Sequence, residues 1–189
     1  MNKLPLLFAI LGLLAVPSSA EKVDLGAGKA IHLMVPETWI SADLASGLPG
    51  MPAAGKTVRY VTKNGSNDAV LITIITVPDD RFGDRENLNA LVEESTQQFV
   101  SGSVEGKADP KEFRIGGRPG ISVTFTDADL VGKPSVKDNY KALTMCFVYL
   151  GEHLMLTATV FTDDLSGRDY AEGMRLLKSI SLNLPANTL

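Results

Sequence analysis

The residues of this chain that could do chemistry are few, and their spacing limits what each could do. Cys146 is the only thiol. A nucleophilic cysteine needs a nearby base and a lowered pKa. Cys146 lies in the middle of an apolar run, which predicts a small buried hydrophobe. The two histidines, His32 and His153, also adjoin apolar runs. A zinc site needs three or four clustered ligands, and no His/Cys/carboxylate spacing here supplies them.

The carboxylates are more suggestive. Asp79, Asp80 and Asp84 form a local acidic group in PDDRFGD. Such oxygens suit a hard divalent cation such as calcium, so these three are the candidate metal ligands. The competing expectation is a solvated loop with Asp84 capping a helix, because Arg81 and Arg85 are interleaved. Asp127 and Asp129, with Asp163 and Asp164, mark two more acidic strand ends. Acid/base work, as in a hydrolase, would require two of these to converge. Arg118 is an exposed cation on the rigid corner Gly116-Gly117-Arg118-Pro119-Gly120, where turn chemistry alone accounts for the residues. No phosphate-binding glycine loop, GxSxG or HExxH occurs.

The elements that position these residues centre on Tyr140 to Thr162, the longest apolar stretch after the N-terminal one. It reads as two strands joined at Gly151-Glu152. Cys146, Val148 and Leu150 point one way and Met145, Phe147 and Tyr149 the other, and neither set is polar. Strands apolar on both faces need cover on both. Ala69 to Val77 reads the same way. Strands are also expected over 22–25, 30–35, 56–62, 110–115 and 121–126, with turns at Pro36 to Trp39 and Asn64 to Asn67. Asn64-Gly65-Ser66 also fits a glycosylation acceptor, but an NG turn explains the same residues. A helix starts at Asp84, carries Leu88, Leu91, Val92, Ser95 and Phe99 on one face, and stops at Gly102. A second helix starts at Ser166 with a capping-box pattern and presents Tyr170, Met174, Leu177 and Ile180. The order ββββ-α-ββββ-α predicts an α+β fold: a mainly antiparallel central sheet covered by two helices.

Residues 1–20 read as a signal peptide: Lys3, an apolar run from Leu4 to Val16, and Ser18-Ser19-Ala20 before a cleavage expected ahead of Glu21. Residues 21–189 then form one domain with 17 basic and 22 acidic residues, a net charge of −5. With no basic stripe, nucleic acid and anionic membrane surfaces are not expected partners. No second apolar stretch is long enough to be transmembrane, and a lone cysteine forbids an internal disulfide. The segment Ser41 to Gly55 cannot be helix or strand through Pro49-Gly50. It is nearly uncharged yet carries Leu44, Leu48 and Met51, which are therefore the candidate partner-binding residues.

Three motifs carry a family resemblance: Val35-Pro36-Glu37-Thr38-Trp39, Ile115-Gly116-Gly117-Arg118-Pro119-Gly120, and Leu177-Lys178-Ser179-Ile180. In this order and spacing the chain resembles the PsbP-like family, which comprises the extrinsic photosystem II protein and bacterial periplasmic relatives including the DcrB-like proteins. The resemblance implies an αβα sandwich and accessory or binding proteins rather than enzymes. The combined expectation is an exported, non-catalytic accessory or binding protein of the bacterial envelope, periplasmic or secreted. It would engage a protein or envelope component and need no cofactor. The alternative is a periplasmic module for a small ligand or divalent metal.

Overall fold

The computed structural model describes residues 17–42 and 55–183. Ten strands and two α-helices follow in the order β1 (Ser18–Gly26), β2 (Lys29–Pro36), β3 (Trp39–Ala42), β4 (Gly55–Thr62), β5 (Ala69–Thr76), α1 (Arg85–Val100), β6 (Lys111–Ile115), β7 (Arg118–Thr126), β8 (Ala142–Gly151), β9 (Leu154–Thr162), α2 (Arg168–Lys178) and β10 (Ser181–Asn183). Seven strands form one sheet in the order β3-β4-β5-β9-β8-β7-β6, and every neighbouring pair in it is antiparallel. The fold is α+β, as expected. The opening hairpin lies outside this sheet, however. It makes a second sheet in the order β1-β2-β10, with β10 closing on β2. Two short elements were not expected: β10, and β3, where a turn and loop were read.

The two-faced hairpin was read correctly. Cys146, Val148, Leu150, Leu154, Leu156, Ala158 and Val160 enter one apolar cluster with Trp39, Val70, Ile72, Leu176 and Leu177. The opposite face of the same strands gives Phe147 and Met155 to a second cluster with Leu88, Val92, Ile121 and Phe125. Helix α1 packs on β7 and β8, whereas α2 packs on β9 and β2. The first face is thus covered by α2 together with the small sheet, whose Ile31, Leu33 and Val35 are buried in the same cluster.

Helix α1 starts as the sequence indicates. The Asp84 side chain accepts from the Glu86 and Asn87 backbone N–H groups, at 2.8 and 3.3 Å. It ends at Val100 with Ser101 as C-cap, which puts Gly102 just past the helix as expected, though without the positive φ of a glycine cap. Helix α2 departs further. Its N-cap is Gly167, with no side-chain cap. Ser166 spends its hydroxyl and N–H on Asp164 Oδ1, at 2.6 and 2.9 Å, so no capping box forms. Gly173 lets α2 approach closely: a Cβ there would sit 3.1–3.3 Å from Val70, Val160 and Trp39.

One buried charge ties α2 to the start of β3. Glu172 is 0% exposed, and Thr38 Oγ1 and Arg168 Nε both donate to its carboxylate. Burial pushes its pKa up, but these donors and the Arg168 charge outweigh that and hold it below the usual range. The Trp39 indole N–H makes no hydrogen bond, yet it lies close enough to favour the charged carboxylate.

Two predictions follow from the packing. At Gly120 a Cβ would stand 2.4 Å from Val148 Cγ2 and 2.5 Å from the Phe147 carbonyl. Gly120→Ala is expected to cost about 3 kcal/mol in a denaturant titration. Gly102→Ala, in open space, should change little. Folding lowers the Glu172 pKa, so its contribution is present above the unfolded carboxylate range and is lost as pH falls through the folded value. Glu172→Gln should therefore cost about 1 kcal/mol at pH 7. That difference should shrink on acidification in the same titration.

Candidate functional site

A cleft of about 820 Å³ lies at the end of the sheet where β4 turns into β5. Its walls are the 62–68 turn on one side and the 135–140 segment on the other, with Asp163 and Asp164 following β9. The expected turn at Asn64 to Asn67 is present, with Gly65 at φ +78° and Asn64 Oδ1 accepting from the Ser66 N–H at 2.8 Å.

Asn67 fastens the two walls together. Its side-chain NH₂ lies within hydrogen-bond distance of the Val136 and Asn139 carbonyls and of Asp163 Oδ2, at 3.0, 3.2 and 3.3 Å. Its carbonyl accepts from the Asp138 N–H at 2.9 Å. Asp163 Oδ1 accepts from the Lys141 N–H at 3.1 Å. Arg59 donates to the Tyr140 hydroxyl at 3.2 Å and pairs with Asp138 at 3.5 Å. The Tyr140 ring packs on Phe161, with centroids 4.7 Å apart. Asp169, on the first turn of α2, accepts from Asn64 Nδ2 and Ser66 Oγ at 3.1 and 2.9 Å. The cleft is therefore pre-formed: its polar groups hold one another.

Asp68 differs from its neighbours. It is 9% exposed, and its Oδ1 has no hydrogen-bond partner. Burial raises its pKa most. Thr162 and Ser66 oppose that rise, while the charges of Asp169 and Asp163 add to it. Asp164 goes the other way, held low by the Ser166 hydroxyl and N–H.

The acids singled out from sequence are only partly brought together. Asp163 and Asp164 line the cleft. Asp127 lies beside it, its N–H bonded to the Lys141 carbonyl at 2.8 Å while its carboxylate accepts from the Asp129 N–H at 2.8 Å. Asp79, Asp80 and Asp84 lie at the opposite end of the sheet, each with protein donors. Asp79 accepts from the Arg81 N–H at 3.0 Å. Asp80 accepts from the Tyr149 hydroxyl, and Asp84 caps α1. No group of three or more His, Cys, Asp or Glu side chains suited to a metal lies together among the described residues. Leu44, Leu48 and Met51 lie outside the described residues. Cys146 is buried, its thiol pKa pushed up to about 12 by burial, with the Lys178 charge opposing. Sequence reading missed Arg59, Asn67, Asp68, Asp138 and Tyr140. The one local signal was an Asp immediately before the apolar run of β5.

Asp68 sets a testable pH dependence. Folding raises its pKa, so its contribution to stability is whole below the unfolded carboxylate range, near pH ~4. It falls as pH rises through the folded value. Asp68→Asn should therefore melt above the wild type at pH 7 and together with it at acid pH. Each kcal/mol recovered reads as about 2–4 °C in calorimetric Tm.

No family model matches the chain, and no curated protein matches it. Solved structures similar to it include the following. A Bacteroides thetaiotaomicron protein aligns over 82% of this chain and 46% of its own, at 7% identity and TM-score 0.49. The Saccharomyces cerevisiae Ran-binding protein Mog1p aligns over 87% of this chain and 96% of its own, at 16% identity and TM-score 0.43. Cyanobacterial PsbP from Synechocystis aligns over 91% of this chain and 96% of its own, at 12% identity and TM-score 0.53. With the expected α+β order now visible in the sheet and helices, the fold of this chain is PsbP-like.

Proposed function

We propose that this protein is an exported, non-catalytic binding protein of the bacterial envelope that takes its partner or small ligand at the cleft between the 62–68 turn and the 135–140 segment. One observation carries this reading: the cleft is large enough for a ligand, and the groups in its walls are locked by one another. Preformed walls suit binding, because little ordering remains to be done when a ligand arrives. A paired acid and base would need two free carboxylates. Here Asp138, Asp163 and Asp164 are engaged, and Asp68 Oδ1 is sealed from solvent. The PsbP-like fold agrees with an accessory role, and the same reading takes the layering as an αβα sandwich.

Export is supported by the composition of residues 1–20, and no helix among the described residues is long and apolar enough to cross a membrane. Cleavage before Glu21 removes the first three residues of β1 and their pairing with Pro36, Val35 and Met34. It leaves Glu21 in place to accept from the buried Tyr60 hydroxyl at 2.8 Å. Leu44, Leu48 and Met51 are proposed as apolar contacts to a partner. They lie in the stretch that follows Ala42, itself a cleft residue.

The test is a pull-down from periplasmic extract with three baits: the wild type, a deletion of residues 44–54, and Arg59→Glu in the cleft. Both changes should lose the partner the wild type captures. Retention by Arg59→Glu would exclude the cleft, and retention by the deletion would exclude the loop.

A further inference from the structure

We propose that a second pocket, beneath the first turn of α1 at the opposite end of the sheet, binds a small carboxylate attached to a compact apolar body. The pocket measures about 390 Å³, within the range of small-molecule sites. Phe82, Leu88 and Ile121 supply apolar surface, and Arg85, Arg118 and Tyr149 supply its polar groups. Gly120 also lines it, and no side chain can be added there without striking Val148.

The charge of the lining selects the ligand. Two arginines face the pocket and no carboxylate does. Arg85 is already paired with Glu112 at 2.9 Å. Arg118 is exposed, and its guanidinium makes no hydrogen bond or ion pair among the described residues. Its guanidinium rests on the backbone of the β8–β9 turn, where a Cβ at Gly151 would lie 3.1 Å from Nη1. The nearby acids are spent elsewhere. Asp84 caps α1, and Asp80 accepts from Tyr149, with His153 Nδ1 3.8 Å from it. The Tyr149 hydroxyl gives its proton to Asp80 and accepts from the His153 N–H at 3.1 Å, so it has none left to offer a ligand.

The head of the ligand therefore falls to Arg118 alone. One free guanidinium presents a planar fork that matches one carboxylate with two parallel bonds. A phosphate or sulfate would call for more donors than Arg118 supplies, because Arg85 and Tyr149 are already engaged by Glu112 and Asp80. The body of the ligand replaces water over Phe82, Leu88 and Ile121, which favours a short hydrocarbon chain or a single ring.

The test uses octanoate as the carboxylate probe, followed by backbone amide shifts in a heteronuclear NMR titration of the full mature chain. Acetate supplies the charge without the body, and octan-1-ol the body without the charge. Octanoate should shift Leu88, Gly120 and Ile121 saturably, and each control should bind at least about tenfold more weakly. Arg118→Gln should weaken octanoate about tenfold and leave octan-1-ol and the Tm unchanged; Arg118→Lys should recover only part of the loss. Phe82→Ala should weaken octanoate but not acetate. Equal binding of octanoate and octan-1-ol, an Arg118→Gln protein with wild-type affinity, or no saturable shift at those three amides would each overturn the proposal. All of these readouts are independent of the cleft at the other end of the sheet.

Discussion

The pairing of β5 with β9 is the interaction on which the other elements depend. It runs from Ala69 opposite Phe161 to Thr76 opposite Leu154. It joins a three-stranded half, β3-β4-β5, to a four-stranded half, β9-β8-β7-β6. Without it neither half has a second sheet partner along that edge. The pair also makes the platform for α2, because Gly173 seats the helix directly on Val70 and Val160. The hydrophobic contribution follows from area, about 25 cal/mol per Å² removed from water. It is concentrated where Val70, Ile72, Leu156 and Val160 are wholly buried.

The same strands give the two ends of the sheet different characters. At the β4–β5 end the chain emerges as Asn, Ser and Asp residues that bond across to a distant segment, and the result is a polar, braced cleft. At the other end, the turn between β8 and β9 places Glu152 and His153 at φ +49° and +60°. Hairpins of this type usually use Asn-Gly there, since other side chains are strained. The surroundings hold the turn instead. Lys29 pairs with Glu152 at 3.1 Å, the Val77 N–H donates to the His153 carbonyl at 2.8 Å, and Tyr149 accepts from the His153 N–H.

Much of the sheet was legible because burial leaves a periodic trace. Residues 142–162 are apolar on both faces, so their central place could be read before any partner was known. The turn expected over Gly116 to Gly120 is confined to Gly116-Gly117, at φ +55° and +78°, because Arg118, Pro119 and Gly120 already pair with β6 as the start of β7. The β8–β9 turn was read one residue early, since Gly151 belongs to β8. What escaped was non-local. Nothing within residues 22–35 tells that hairpin to leave the main sheet and pair with β10, a three-residue strand about 150 positions later. The cleft escaped for the same reason. Asn67, Asp138 and Asp163 look like three unrelated loop residues until the sheet brings them together. Ser166 shows the converse: a capping pattern was present, but Asp164 took the hydroxyl first.

Asn67 reaches residues 69 to 96 positions away in sequence. Bonds of such separation form only after loop closure has been met by other contacts. The pairing of β5 with β9 must therefore be in place before Asn67 can fasten the two walls of the cleft together. The shape of that end of the molecule is consequently a property of the completed sheet, since residues scattered along the chain meet there only once the sheet has joined them.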